Sequence, residues 1–297
     1  MFHFEMSAGN KKFITSRGCG FCNGVKRAIA SFDDTCAKYG TPVYVLHDLV
    51  HNTFVSDSMR KSGAIFVDDI KDIPDGSAVM IGAHGVGNAL KNEMLSRFTV
   101  VDATCPRVKA LQQQAAKVAP EQELILLCKK GHPEAEGVVG HVVTEHVYPV
   151  ADIADVELLP NLKSPVFLAQ TTVSCKIVDD VKALLKKRFP VLKMSASVCD
   201  ASYKRQNSAV ALASLCELVF VVGSAHSSNA AELVNVVKNC GKKAFLIDDG
   251  KAISPDMLDK INTVGITAGA STPDELIEDV KNRLVLLGFE DGGVADV

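Results

Sequence analysis

Cys22, Cys105 and Cys199 each open a helical run. A histidine follows 29, 27 and 27 residues later: His51 in HDLVHN, His132 in GHPEAEG and His226 in SAHSSN. Further along each stretch an apolar segment runs into a second polar motif, AVMIGAHGV with His84, PVFLAQTTVS with Thr171 and TVGITAGASTP with Ser271. Three copies of one layout point to one shared site. Thiolates that meet at one point can hold a metal cluster on three corners and leave a fourth open, with imidazoles, hydroxyls and a carboxylate around it.

Each residue type also has an ordinary structural use. A lone cysteine is usually a small core hydrophobe, and Cys36, Cys128, Cys216 and Cys240, inside or at the ends of helix and strand patterns, are read that way. Cys19 and Cys22 form CGFC, a spacing shared by redox pairs and zinc sites. No second CxxC completes a zinc ribbon. Cys22 fits the repeat spacing better than Cys19, which stands 32 residues before His51, so Cys22 is expected as the ligand and Cys19 as its neighbour. With thiolates supplying soft ligands, the histidines read as donors to a substrate anion, joined by Ser227, Asn229 and Ser271. Helix N-capping is the alternative for such Ser and Asn residues, and it is the reading taken for Thr272 in STPD. Glu134 reads as the one carboxylate embedded in a histidine motif, whereas Glu136 is expected to answer the helix dipole in the first turn.

These motifs need a scaffold that brings loop residues together. Short Val-, Ile- and Leu-rich strands alternate with amphipathic helices throughout the chain, which predicts parallel sheets covered on both faces. The chemistry-bearing motifs all follow a predicted strand and precede a predicted helix. They are therefore expected at the carboxyl ends of parallel strands, where open α/β sheets bind ligands and helix N-termini favour anions. The division expected is three pseudo-repeated α/β domains, 13–104, 105–198 and 199–290, arranged as a trefoil around a central cluster cavity. A chain of 297 residues with 47% hydrophobic residues can bury one large core or several smaller ones. A net charge of −3 without basic runs gives no footing for nucleic acid or a membrane surface. No apolar stretch reaches membrane-spanning length, and the start lacks a leader pattern, so a cytoplasmic protein is expected. Nine dispersed cysteines argue against a secreted disulfide framework.

The strings GFCNGV, HDLVHN, AHGV, DATCPRV, GHPEAEG, QTTVS, VGSAHSSN and AGASTPD resemble, in order from about residue 13 to about residue 290, the signature series of the IspH/LytB family of 4-hydroxy-3-methylbut-2-enyl diphosphate reductases. The resemblance implies reductive removal of an allylic hydroxyl, the last step of the methylerythritol phosphate route, giving isopentenyl and dimethylallyl diphosphates. It implies one 4Fe–4S cluster per chain on Cys22, Cys105 and Cys199, with one iron open. It also implies a diphosphate cradle from His51, His84, His132, Ser227, Ser228, Asn229 and Ser271. Glu134 would deliver the proton, aided by His132 or Thr171, and Thr171 would hold the substrate hydroxyl. Two positions depart from the family pattern: His226 stands where Asn is usual and Ser202 where Thr is usual, which bears on substrate affinity more than on reaction type. No GxGxxG follows a predicted strand, so electrons are expected from a separate ferredoxin or flavodoxin. Two other readings stay open on sequence: a different cluster enzyme such as a quinolinate synthase-like dehydratase, and a non-redox zinc or structural protein.

Overall fold

The computed structural model describes residues 11–194 and 198–295. The N-terminal segment used for the leader argument and residues 195–197, within the LKMSASV run whose sequence reads as a strand, lie outside them. In chain order the first elements are β1 (Lys12–Ser16), α1 (Asn23–Tyr39), β2 (Val43–Leu46), α2 (Thr53–Lys61), β3 (Ala64–Val67), β4 (Ala78–Ile81), α3 (Asn88–Arg97) and β5 (Thr99–Asp102). Then come α4 (Pro106–Ala115), β6 (Glu123–Leu127), α5 (Pro133–Val139), β7 (Val147–Val150), α6 (Ile153–Glu157), β8 (Pro165–Ala169), α7 (Cys175–Arg188) and β9 (Lys193–Met194). The chain closes with α8 (Asp200–Leu215), β10 (Leu218–Val222), α9 (Ser228–Asn239), β11 (Lys243–Ile247), β12 (Thr263–Ala268), α10 (Asp274–Leu286) and β13 (Glu290–Ala295).

The strands form three parallel sheets, ordered β3-β2-β4-β5, β7-β6-β8-β9 and β11-β10-β12-β1-β13. The first four positions repeat one plan: second strand, first strand, third strand, closing strand. In the third sheet β1 supplies the closing strand, with Lys12 opposite Thr263 and Phe13 opposite Val264. The expected first domain, which began at residue 13, therefore loses its opening strand to the sheet of the last third of the chain. Neighbouring elements usually pair, and nothing in the residues of β1 announces a partner 251 residues away, as in the Ser16–Thr267 hydroxyl contact.

The chain groups into two compact units, Cys22–Ser202 and Met1–Phe21 with Tyr203–Val297. The larger unit carries the two four-stranded sheets. On β6, Ile125 and Leu127 pack with Val178, Val181 and Leu185 of α7, while Leu124 and Leu126 pack with Leu111 and Ala115 of α4 and Val138 of α5. The smaller unit treats β10 alike: Leu218, Phe220 and Val222 meet α10 through Ile277, Val280 and Leu284, and Val219 and Val221 meet Leu212, Leu233 and Val237. Alternation along a strand feeds two opposed cores, so these strands are apolar on both faces. Each fully buried side chain of this size is worth about 1.5–3 kcal/mol. Helix ends follow local chemistry: α1 starts where Cys22 Sγ accepts from Val25 N and ends at Gly40, whose φ of 79° is easy only for glycine. Among the described residues no helix is long and apolar enough to cross a membrane.

Candidate functional site

The motif residues singled out in the sequence fall in strand-to-helix connections or in the first turn of the helix that follows. Cys22 precedes α1, His51 precedes α2, His84 precedes α3, Cys105 precedes α4, His132 precedes α5, Thr171 precedes α7 and Cys199 precedes α8. All of these, with Glu134 in the first turn of α5, belong to the larger unit. Ser227, Ser228, Asn229 and Ser271 belong to the smaller one.

The three thiols share one neighbourhood. Cys22 caps α1 with its sulfur, and Cys105 caps α4 directly before Pro106. Gly24 sits between the two: a Cβ added there would lie 2.9 Å from Cys105 Sγ and 3.7 Å from Cys22 Sγ. Burial pushes the Cys105 thiol up, the backbone N–H groups of Arg107 and Val108 pull it down, and the charges of Cys22 and Cys199 push it up again. Cys199 is held by its own N–H, which donates to the Thr171 carbonyl at 3.1 Å, and the next residue, Asp200, pairs with Arg107. Half-buried thiols at helix N-termini that repel one another as anions are suited to a soft cation or cluster that binds thiolates.

That crowding makes Gly24 testable. Within a helix Gly→Ala ordinarily stabilises by about 1 kcal/mol. Gly24→Ala should instead lower the metal content of the protein as isolated, because either the methyl or the Cys105 sulfur must move. Iron and sulfide analysis beside apo-protein melting checks this, and a variant that melts higher with full iron content would contradict it.

Cys19 is engaged elsewhere. Its sulfur lies 3.1 Å from Ser16 Oγ and 4.0 Å from the Ile266 carbonyl, packed against the core of the smaller unit. Burial, opposed by Ser16, Arg205 and Thr267, pushes its thiol up. Cys128 and Cys216 are buried core thiols pushed up to about 11 by desolvation.

His51, His84 and His132 of the larger unit cluster tightly. His51 and His84 stack at 4.2 Å between ring centres, and His132 meets both edge-on at 5.6 and 5.4 Å. Their nitrogens lie within 4.8 Å of one another, which on distance alone would suit a metal ion. The hydrogen bonds point to another use. His132 Nδ1 accepts from the Glu134 N–H at 3.1 Å, so the proton of the neutral ring sits on Nε2 and that atom is a donor. His51 Nδ1 faces Asp48 Oδ2 at 3.1 Å. Asp48, inside HDLVHN, is thus a second carboxylate within a histidine motif, and the reading of Glu134 as the only one is corrected; its signal was the three-residue spacing to His51. Burial, then repulsion from His51 and His132, holds His84 well below the ordinary histidine range. His132 is lowered to about 4 by burial and by the charges of His51 and Lys129. Crowded imidazoles, two of them held low by burial and by their neighbours' charges, suit an anion.

Beside them Glu134 is 1% exposed. Thr171 donates to it twice, from N to Oε1 at 2.7 Å and from Oγ1 to Oε2 at 2.9 Å. Burial outweighs both hydrogen bonds and raises the carboxyl to about 7, so this group can give or take a proton near neutral pH. Glu136 lies in the first turn of α5.

In the smaller unit Ser227 does cap its helix, accepting from Ala230 N at 3.3 Å, and its hydroxyl proton remains able to donate. Asn229 Oδ1 accepts from Ala270 N at 3.0 Å, which leaves Nδ2 buried without a partner, as is Ser228 Oγ. Buried unpaired donors are costly unless a ligand meets them. Ser271 is buried in the adjoining loop. His226 is exposed. The capping role expected for Thr272 is corrected: Pro273 occupies the cap of α10 without a side-chain bond, and Thr272 Oγ1 donates to the Val222 carbonyl at 2.8 Å, tying β10 to the next loop.

Parallel α/β sheets that present grouped thiols, an anion-directed imidazole cluster and a buried acid with a neutral-range pKa define a cluster-binding enzyme of the α/β class. The chain belongs to the LytB family: the description "LytB protein" matches residues 14–285. It is 43% identical over 277 residues to the 4-hydroxy-3-methylbut-2-enyl diphosphate reductase of Escherichia coli O139:H28, covering 91% of this chain and 88% of that one, and equally so to that of Escherichia fergusonii. Its fold is similar to the E-1-hydroxy-2-methyl-but-2-enyl-4-diphosphate reductase from Plasmodium falciparum, with TM-score 0.89, 29% identity and coverage of 97% and 93%. A second solved structure, of (E)-4-hydroxy-3-methyl-but-2-enyl diphosphate reductase, the terminal enzyme of the non-mevalonate pathway, gives TM-score 0.66, 26% identity and coverage of 93% and 99%. Membership of the family implies an iron–sulfur cluster, and the thiols around Gly24 fit one.

Proposed function

We propose that this chain is a cytoplasmic reductase that converts (E)-4-hydroxy-3-methylbut-2-enyl diphosphate to isopentenyl and dimethylallyl diphosphates, the last step of the methylerythritol phosphate route. The reaction consumes two electrons and two protons, breaks the allylic C–O bond and releases water. The observation that carries the reading is the Glu134–Thr171 pair, a carboxyl raised to about 7 in the unit that also gathers the three thiols and the three imidazoles. A 4Fe–4S cluster held by Cys22, Cys105 and Cys199, with one iron open, supplies single electrons and a Lewis acid when bound. Glu134 holds the proton, and the Thr171 hydroxyl, already bonded to it, is the group that can hand it to the substrate oxygen. His51, His84, His132, Ser227, Ser228, Asn229 and Ser271 are the donors assigned to the diphosphate, which does no chemistry but orients the reacting carbon. The electrons come from a ferredoxin or flavodoxin.

Anaerobic incubation with the diphosphate alcohol and a reduced one-electron donor tests the reading. Both five-carbon diphosphates should form, with one water lost per two electrons consumed. Substrate loss without electron consumption would instead mark a dehydratase, and no turnover by cluster-replete protein would overturn the proposal.

The histidine cluster adds a pH signature. With His84 and His132 held low in the free protein, a diphosphate placed among them raises their pKa values by charge neutralisation. Binding should therefore take up protons, and affinity should weaken as pH rises above about 4, the value of the free His132 ring, by about tenfold per unit for each proton taken up, until the bound rings lose their protons. Calorimetry in two buffers of different ionisation enthalpy measures the uptake. Zero uptake would mean that the rings bind as neutral donors.

A further inference from the structure

Asp48 is the acidic side chain of HDLVHN, and the reductase reading gives it no part. Its Oδ2 lies 3.1 Å from His51 Nδ1. A carboxylate only accepts, so Nδ1 carries the hydrogen and Nε2 is the nitrogen left for a ligand. His132 is arranged the opposite way, its Nδ1 accepting from Glu134 N and its Nε2 bearing the hydrogen. Two rings that meet edge-on are thus fixed by different devices, a backbone N–H for His132 and a carboxylate for His51.

The backbone is built to place Asp48 there. His47 stands at φ 57°, a left-handed conformation uncommon for a side-chain-bearing residue. It turns the chain out of β2 while its N–H still donates to the Val67 carbonyl at 2.8 Å. Such a conformation persists only where the surroundings over-determine it, and here the loop after β4 does so. Ala83 N donates to the Leu49 carbonyl at 3.0 Å, and Gly82 lets the Asp48 carbonyl approach where any Cβ would collide with it. His84, the residue after Ala83, stacks on His51 at 4.2 Å. On the far side Asn52 caps α2, accepting from Val55 N at 3.1 Å. With the backbone held at both ends and one ring face covered, the remaining freedom of His51 is the orientation of its ring nitrogens, and the Asp48 carboxylate sets it.

We infer that Asp48 is a positioning residue of the diphosphate cradle: through His51 Nδ1 it aims Nε2 at a phosphate oxygen, with one proton shared between the two atoms. The inference rests on the assignment of His51 to the diphosphate and deepens it. A ring oriented before the substrate arrives need not be ordered during binding. Partners that orient a metal-ligating histidine in this way are worth about 10- to 100-fold in affinity, and the same lever acts here on an anion.

The test is a double-variant cycle on cluster-replete enzyme, read by calorimetry with inorganic diphosphate and by steady-state turnover of the diphosphate alcohol. Asp48→Ala should weaken inorganic diphosphate by about tenfold or more, the loss expected for a charge-assisted hydrogen bond. KM should rise by a similar factor, whereas kcat, which depends on Glu134, Thr171 and the cluster, should change less. A residue that acts only through His51 has nothing left to do once that ring is gone. Asp48→Ala added to His51→Ala should therefore cost less than about twofold more. Asp48→Glu, which restores a carboxylate in a half-exposed position, should recover most of the affinity. Asp48→Ser, too short to reach the ring, replaces the alanine variant should that fail to fold. Unchanged diphosphate affinity in the Asp48 variants overturns the inference, as does a full additional loss in the double variant, which would make Asp48 a structural residue of the loop. Wild type that binds no inorganic diphosphate would overturn both this inference and the cradle of the reductase reading, whereas wild-type binding that the Asp48 variants leave intact overturns this inference alone.

Discussion

Glu134→Gln should lower turnover by about 10²- to 10⁴-fold while the cluster is retained, the range expected when a general acid is removed. Gln keeps the size of the side chain and its amide oxygen can still accept from Thr171, so the loop between β8 and α7 stays in place and the loss is one of proton supply. The same substitution has a stability signature that separates chemistry from packing. The Glu134 carboxyl moves from 4.5 to about 7 on folding. Between those values the native state keeps a proton that the unfolded chain has lost, so stability falls as pH rises through this window and is level above it. The span corresponds to about 3 kcal/mol. Wild type minus Glu134→Gln unfolding free energy, measured in denaturant from pH 4 to pH 8, should show that slope, whereas the other histidines and carboxylates cancel in the difference. Near-normal turnover in the variant would remove Glu134 from the mechanism. A flat difference curve would show that the carboxyl ionises as freely as in the unfolded chain.

The strand ends that present these groups were legible because their signals are local. A run such as LVFVV is apolar at every position, which only a strand covered on both faces tolerates, and the polar motif after it is followed at once by a helix start. The bounds of α1 were readable from Gly40. What could not be read depends on partners far away in sequence. The partnership of β1 with β12 rests on non-local pairing. β13 was missed because EDGGVA is acidic and glycine-rich, a composition depleted in strands; it is held by its ladder to β1. The short α6 begins at the end of HVYPVADI, a run whose composition reads as a strand, where Asp152 accepts from Ala154 and Asp155 N–H groups, a capping signal outvoted by the β-branched residues before it.

The candidate site divides along the same line. Residue types and spacing singled out Glu134 and Thr171 separately, yet their two hydrogen bonds across 37 residues, and the burial that raises the carboxyl, are tertiary facts. Thr272 looked like a cap because STPD carries the local signature. The Val222 carbonyl, 50 residues distant, takes its hydroxyl instead.

Serine in place of Cys22, Cys105 or Cys199, one at a time, should abolish or severely reduce cluster binding and with it all reductase turnover, while Cys19→Ser should leave most of both. The asymmetry within CGFC is the informative part. Cys22 caps α1 and shares the space around Gly24 with Cys105, whereas the Cys19 sulfur is committed to Ser16 and the Ile266 carbonyl in the interior of the smaller unit. Oxygen is a poor ligand for iron in such clusters, so loss of one sulfur removes a corner and not merely some affinity. Cys105 carries a further expectation. Its thiol is raised by burial and by the charges of its two partners, so in the free protein it holds a proton that cluster binding must displace, and reconstitution should quicken as pH rises from 7 to 9. Anaerobically purified variants, assayed for iron, sulfide and broad absorption near about 400 nm, report cluster occupancy without reference to activity. A colourless, zinc-loaded wild type would support the non-redox reading instead, because zinc thiolates do not absorb in the visible. If Cys19→Ser loses the cluster and Cys22→Ser keeps it, the ligand has been placed on the wrong cysteine, and the loop between β1 and α1 must then rearrange to free the Cys19 sulfur from Ser16.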